Sequence, residues 1–226
     1  MRYALAGGGK RVRPVLCLAT AEAAGADAER ALPAAAAVEL VHTFSLVHDD
    51  LPALDDDDER RGRPTVHVRF GEDVAVLTGD ALLTEAFRLA LSYASTGVAR
   101  ELAQATLGMI GGQYLDLRGE GVDDDAVNRL KTGRLFDAAV ACGLWAAEVP
   151  EPSQPPWRAF AAELGVLFQA VDDLLDGDGS VRTRGEAWTR QAADDAAARA
   201  LAALDTISAD TTVLAEIVET LAARTS

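Results

Sequence analysis

Two aspartate clusters, Asp49-Asp50-Leu51-Pro52-Ala53-Leu54-Asp55 and Asp172-Asp173-Leu174-Leu175-Asp176, each interrupt a stretch that is otherwise apolar and of helical period. A carboxylate taken out of water without a partner takes up a proton rather than keep its charge, so a fold that buries several must bring cations to them. This constrains the chain to a fold in which two acidic helices face one another as walls of one cation site. Magnesium suits such walls, because it takes oxygen ligands, retains water and is completed by substrate phosphates.

The spacing within each cluster supports this reading. Asp172 and Asp176 are four residues apart, so on a helix they project from one face, with Asp173 turned aside. Pro52 removes a backbone donor and disfavours the helical state of Leu51, which predicts a helix ending just after Asp50 and Asp55 folding back toward Asp49. The neighbouring Asp56, Asp57 and Asp58 read as solvated surface.

Elsewhere the apolar residues recur at helical spacing, with alanine-rich stretches and no alternating strand, so the expected fold is all-α. Proline and glycine punctuation predicts about eight helices, roughly 13–24, 33–50, 73–95, 98–118, 123–147, 156–176, 186–206 and 210–224. A single-domain bundle over residues 1–226, with the acidic helices lining a central cavity, accommodates a chain of 226 residues with 49% apolar content. The net charge of -15 argues against nucleic acid and anionic membrane surfaces as partners. Only Cys17 and Cys142 occur, both in apolar surroundings, which points to buried free thiols in a reducing compartment. No signal-peptide pattern and no apolar run of about 18 residues is evident, so no integral membrane segment and a cytoplasmic location are expected.

Of 21 basic side chains only Lys10 and Lys131 are lysines. Lys10 lies in GGGKRVRP, where glycines let the backbone approach a ligand and Lys10, Arg11 and Arg13 offer donors to phosphate oxygens. Lys131 lies in KTGRLF beside Thr132, and a compact ammonium on a flexible stem can reach a diphosphate as a point charge, in a different way from a planar guanidinium. The three histidines, His42, His48 and His67, cluster around the first acidic motif. His42 lies about two turns before Asp49 and can donate to a phosphate, whereas His48 reads as a packing group and His67 as a partner of the backbone.

These residues carry a family resemblance. GGGKRVRP, HTFSLVHDDLPALDDDDERRGRPT, LTGDALLTEAF, GQYLDL, KTGRLF and FQAVDDLLD resemble, in order and spacing, the motif series of trans-type isoprenyl diphosphate synthases such as farnesyl and geranylgeranyl diphosphate synthases. The resemblance implies an isoprenoid-synthase bundle that joins isopentenyl diphosphate to an allylic diphosphate head to tail. It implies about three magnesium ions on the allylic diphosphate, held by Asp49 and Asp55 and by Asp172 and Asp176, with Asp50 and Asp173 supporting. It further implies allylic diphosphate contacts from Arg60, Lys131, Thr132 and Gln169. An isopentenyl diphosphate pocket would be formed by Gly9, Lys10, Arg13, His42 and Arg61. Phe44, five residues before Asp49 and taken to lie on roughly its helical face, would floor the tail cavity beside the small Ser45. A short-chain product is then implied, farnesyl favoured over geranyl or geranylgeranyl, and a homodimer.

Relatives carry a helix before the glycine-lysine motif, so N-terminal residues are expected to be missing, and Gly119 to Lys131 looks short. The stretch after Asp176, GDGSVRTRGEAWTRQ, lacks the lysine that the family commonly has there, leaving Arg182, Arg184 and Arg190 as unassigned substitutes. A class I terpene cyclase, a non-catalytic subunit of a prenyl synthase and a simple helical scaffold stay open as alternatives. The second DDLLD motif and the basic set weigh against each.

Overall fold

The computed structural model describes residues 1–118, 127 and 129–225. Its long helices are α2 (Val12–Ala23), α3 (Ala28–Asp49), α5 (Glu72–Ala90), α6 (Gly97–Arg118), α7 (Arg134–Ala146), α8 (Pro155–Asp176), α10 (Glu186–Leu204) and α11 (Thr212–Ala222). Short helices α1 (Arg2–Leu5), α4 (Val66–Phe70) and α9 (Ser180–Arg184) join them, and a π turn, Arg129–Gly133, leads into α7. The fold is all-α as expected. Among the described residues the only strands are β1 (Glu59–Arg60) and β2 (Arg63–Pro64), a two-residue hairpin. The first part of the helix expected over 123–147 lies outside the described residues.

Helix α7 is the hub. It packs against α2, α3, α6 and α8, and Leu135, Phe136 and nearly every residue from Ala138 to Ala146 is buried, the pattern of a helix apolar on all sides. Small residues permit the approach: a Cβ at Gly143 would stand 2.5 Å from the carbonyl oxygen of Cys17 on α2. Cys17 and Cys142 are both buried free thiols, and burial pushes the Cys17 thiol up to about 12. On the other flank, α8 packs against α10, and α11 lies over α2 and α8.

Helix α3 begins at Ala28, earlier than the expected 33, and carries Pro33 inside it. Asp27 caps its start by accepting from the amide of Glu29 at 3.2 Å. The proline opens the next turn, and the Tyr93 hydroxyl enters the gap: it donates to the carbonyl of Arg30 at 2.7 Å and accepts from the amide of Ala34 at 3.1 Å. By length and composition alone α3 is apolar enough to cross a bilayer, contrary to expectation, and 56% of that window is buried inside the bundle. Helix α8 starts with Pro155 at its first position and ends at Gly177, whose φ of 66° is left-handed.

Candidate active site

The first acidic motif forms where α3 runs out. Beyond Asp49 the chain turns over Leu51 to Leu54, and the amide of Asp55 donates to the carbonyl of Asp49 at 2.9 Å, the fold-back that Pro52 predicts. Asp50 is buried and receives Arg60 at 2.6 Å. Asp49 is half-buried, and its carboxylate makes no hydrogen bond among the described residues. Burial raises its carboxyl to about 6, with Asp55 and Asp50 adding to the rise and Lys131 and Arg60 opposing it. Gln113 on α6 donates to Asp55 at 3.0 Å, and Lys131 bonds Asp116 at 2.7 Å. The π turn brings Lys131 there, and Gly112 leaves the space, since a Cβ on it would meet the Lys131 amide nitrogen at 2.7 Å. Thr132 is half-buried on the same turn.

At the end of α8, Asp172 and Asp176 stand one turn apart. Burial raises the Asp172 carboxyl, Asp176 adds to the rise, and Lys10 and Arg224 oppose it. Asp173 is turned aside as the spacing predicts, but it is fully engaged. It accepts from Gln169 at 2.8 Å, from the Ser180 amide at 2.8 Å and from the Ser180 hydroxyl at 2.6 Å. A Cβ at Gly179 would strike its carboxylate at 2.6 Å, so the loop leaving α8 is built around this side chain. Of the arginines beyond Asp176, Arg182 bonds Asp178, Arg190 pairs with Glu186 and Arg184 lies over the Trp188 ring. The cations whose charge bears most on Asp172 are instead Lys10 and Arg224.

Between the N-terminal segment, α3 and the hairpin lies a cleft of about 530 Å³, open to solvent. Gly7, Gly8, Arg11, His42, Thr43, Leu46, Asp50, Arg60, Arg61 and Arg63 are among its lining. The hairpin turn places Arg61 at φ 56° and Gly62 at φ 72°, the left-handed pair that a tight right-twisting hairpin requires. Arg61 thereby donates to the carbonyl of Gly8 at 2.5 Å and crosses Gly9, whose added Cβ would collide with the guanidinium. Burial drives the His42 imidazole well below its ordinary value, and Arg13, Arg61, Arg60 and Arg11 reinforce the drop. His42 is therefore neutral at pH 7, with one ring N–H to donate.

Not every expected donor is available. Arg11 is taken up by an ion pair with Glu39 and a bond to the carbonyl of Leu5. Gln169 is turned to Asp173. At 100° per residue, five steps put Phe44 about 140° around α3 from Asp49, not on its face; its ring is buried, edge-on to His48 at 5.1 Å. Ser45, four residues before Asp49, shares that face and bonds the carbonyl of His42 at 3.0 Å. His48 contacts the carbonyl of Val76, and His67 pairs with the Thr65 hydroxyl rather than the backbone. Sequence reasoning missed Gln113, Asp116, Ser180 and Gly179. The GQYLDL and GDGS stretches held them, but nothing local marks which carboxylate they meet.

The donor set fits magnesium. Asp49 with Asp55, and Asp172 with Asp176, are pairs of hard oxygen donors, and in each pair one carboxyl, that of Asp49 or of Asp172, is raised chiefly by burial, a cost that a divalent ion would relieve. Among the described residues no three acidic, histidine or cysteine side chains gather closely enough to hold an ion by themselves. Among the described residues the side chains do not by themselves close the cage that the sequence leads one to expect.

The Polyprenyl synthetase family model matches residues 1–224. A geranylgeranyl diphosphate synthase of Cyanophora paradoxa is 44% identical over 191 residues, covering 78% of this chain and 64% of that protein. A farnesyl diphosphate synthase of Bacillus subtilis (strain 168) is 42% identical over 195 residues, covering 80% of this chain and 66% of that protein. The chain therefore spans a little under two thirds of the length of these two relatives. The apo crystal structure of an FPP/GFPP synthase from Zymomonas mobilis aligns with a TM-score of 0.88 at 35% identity, over 98% of this chain and 86% of that one. With its all-α fold, its paired acidic motifs and a family match over almost its full length, the chain belongs to the polyprenyl synthetase family.

Proposed function

We propose that the chain is a trans-type prenyltransferase that condenses isopentenyl diphosphate with an allylic diphosphate to give a short-chain prenyl diphosphate. The observation that carries this reading is a cleft lined by His42, Arg60, Arg61 and Arg63 that reaches Asp50 of the first acidic motif, with Asp49 and Asp172 of the two motifs raised by burial. One element binds diphosphate through divalent ions, and the other binds it through N–H donors. Two diphosphates in one site is what head-to-tail elongation demands.

Asp49, Asp55, Asp172 and Asp176 would hold the magnesium ions, and Asp50 and Asp173 would support them by fixing Arg60 and the Gly179 loop. Bound there, magnesium neutralises the charge that develops on a departing diphosphate. The chain's own part is positioning and charge. Lys131 and Arg60, whose charges bear on Asp49, would bind the allylic diphosphate together with Thr132, and Gln169 would join them only on leaving Asp173. Lys10, Arg13, Arg61 and His42 would hold isopentenyl diphosphate, with Gly9 letting the backbone come close. The cationic groups favour ionisation of the allylic C–O bond, the isopentenyl double bond attacks, and the released diphosphate takes the final proton. The aliphatic bundle excludes water from the cation.

For product length the reading stays farnesyl, resting on the aromatic ring of Phe44 as a candidate floor, although that ring lies off the Asp49 face and the relatives are named for both farnesyl and geranylgeranyl products. For assembly it is a homodimer: Leu107, Ile110, Tyr114 and Leu117 form an exposed apolar stripe on α6, each more than half exposed. Incubation with magnesium, isopentenyl diphosphate and a series of allylic diphosphates tests the function. Elongated products are expected; cyclic hydrocarbons, or no turnover at all, would overturn it. Products from Phe44→Ala should lengthen, and an unchanged length removes Phe44 from the role.

A further inference from the structure

Among the described residues Arg13 makes no hydrogen bond or ion pair, and its Nε is buried without a partner. Its guanidinium instead lies over two rings, 4.7 Å from the centroid of Phe136 and 5.6 Å from that of Phe168. The rings touch each other at 4.7 Å with a tilt of 44°. Phe136 on α7 is sealed in the core and cannot shift, whereas Phe168 on α8 is half-buried, four residues before Asp172. Gly165, a turn before Phe168, lets α8 close on α7: its added Cβ would already stand 3.3 Å from Gly133. The charges that bear most on Arg13 are Glu39, Asp172 and Arg61, which sets it between the arginine cleft and the second acidic motif.

A buried cation normally requires an anion, and here two ring faces stand in for it. A ring face attracts a guanidinium without occupying any of its five N–H groups, which point outward in the guanidinium plane. Burial lowers the Arg13 pKa to about 10, so it still carries its charge at neutral pH. We infer that Phe136 and Phe168 are positioning residues, an aromatic shelf that holds Arg13 with its donor edge free to receive the diphosphate of isopentenyl diphosphate. The inference rests on the function proposed above. It separates these phenylalanines from ordinary core residues, whose replacement would alter stability without selecting one substrate.

The test compares Phe168→Leu, which removes the ring, with Phe168→Trp, which keeps one. Phe168→Leu is expected to raise KM for isopentenyl diphosphate about tenfold, with kcat and the allylic KM within about twofold, and Phe168→Trp to restore it. On an Arg13→Leu background, Phe168→Leu should add nothing to that KM. An unchanged isopentenyl KM in a folded variant, equal changes in both KM values, or full additivity with Arg13→Leu would overturn the shelf. Should Phe168→Leu fail to fold, Phe168→Met, which keeps volume but no ring, carries the same expectation. Calorimetric binding of inorganic pyrophosphate to the same four-variant cycle reads the shelf directly. A wild-type protein without turnover would therefore sink the proposed function while leaving the shelf decided on its own.

Discussion

The amide of Asp55 donates to the carbonyl of Asp49 across 2.9 Å, so two carboxylates six residues apart flank a single backbone hydrogen bond. Burial raises the Asp49 carboxyl to about 6, and the charge of Asp55 adds to the rise. Asp49→Asn should therefore leave the fold as stable as wild type, or more so, while lowering elongation by about a hundredfold or more. Thermal unfolding with and without magnesium plus inorganic pyrophosphate checks both halves. The ligands should raise Tm in the wild type and raise it little in the variant, and an equal rise would exclude Asp49 from the site.

Gly9→Ala should mimic loss of Arg61. At φ 117° an added Cβ is strained and strikes the guanidinium, so Arg61 must leave the Gly8 carbonyl. The expected result is a rise in isopentenyl KM for Gly9→Ala and Arg61→Ala that does not compound in the double variant. Independent, multiplying effects in steady-state kinetics would show that the two do not act together.

Tyr93→Phe should cost about 1–3 kcal/mol, because the Arg30 carbonyl and the Ala34 amide lose their shared partner beside Pro33. Urea unfolding measures this. A variant as stable as wild type would mean that the helix closes over the gap by itself.

Asp137 on α7 is half-buried, and burial raises its carboxyl to about 6 against the opposing Arg134 and Arg158. Since the folded value lies above the unfolded one, the native state holds its proton longer, and stability falls as pH rises between about 4 and 6. Asp137→Asn removes that loss. It should be more stable than wild type above pH 6, by roughly 1 kcal/mol after allowance for solvent, and match it near pH 4, as thermal unfolding at the two pH values reads. A gap of the same size at pH 4 and pH 7 would assign the effect to packing.

Helix punctuation was legible because proline and glycine act locally: Pro155, Gly177 and the break after Asp50 fall where backbone chemistry alone puts them. The i, i+4 pair of Asp172 and Asp176, with Asp173 aside, was equally local. What escaped depends on distant partners. Pro33 is tolerated only because Tyr93 arrives from 59 residues away to bond Ala34, so α3 starts earlier than its proline suggests. Arg11 looks like a free phosphate donor until Glu39 takes it. The placement of Phe44 was an error of helical arithmetic rather than of context. The two acidic motifs are visible as patterns, but their compensation by Lys131, Lys10 and Arg224 exists only in three dimensions.

The hairpin meets the N-terminal segment through partners 53 to 61 residues apart: Arg61 with Gly8, Arg63 with Ala6 and Pro64 with Tyr3. Closing so long a loop costs entropy, and the three hydrogen bonds that repay it lie at the exposed surface rather than in the packed core. The cleft is therefore late on the folding route and early on the unfolding one, and its amides should exchange with deuterium through openings much smaller than the global transition. A chain of this design can lose and regain its anion pocket without ever losing its core.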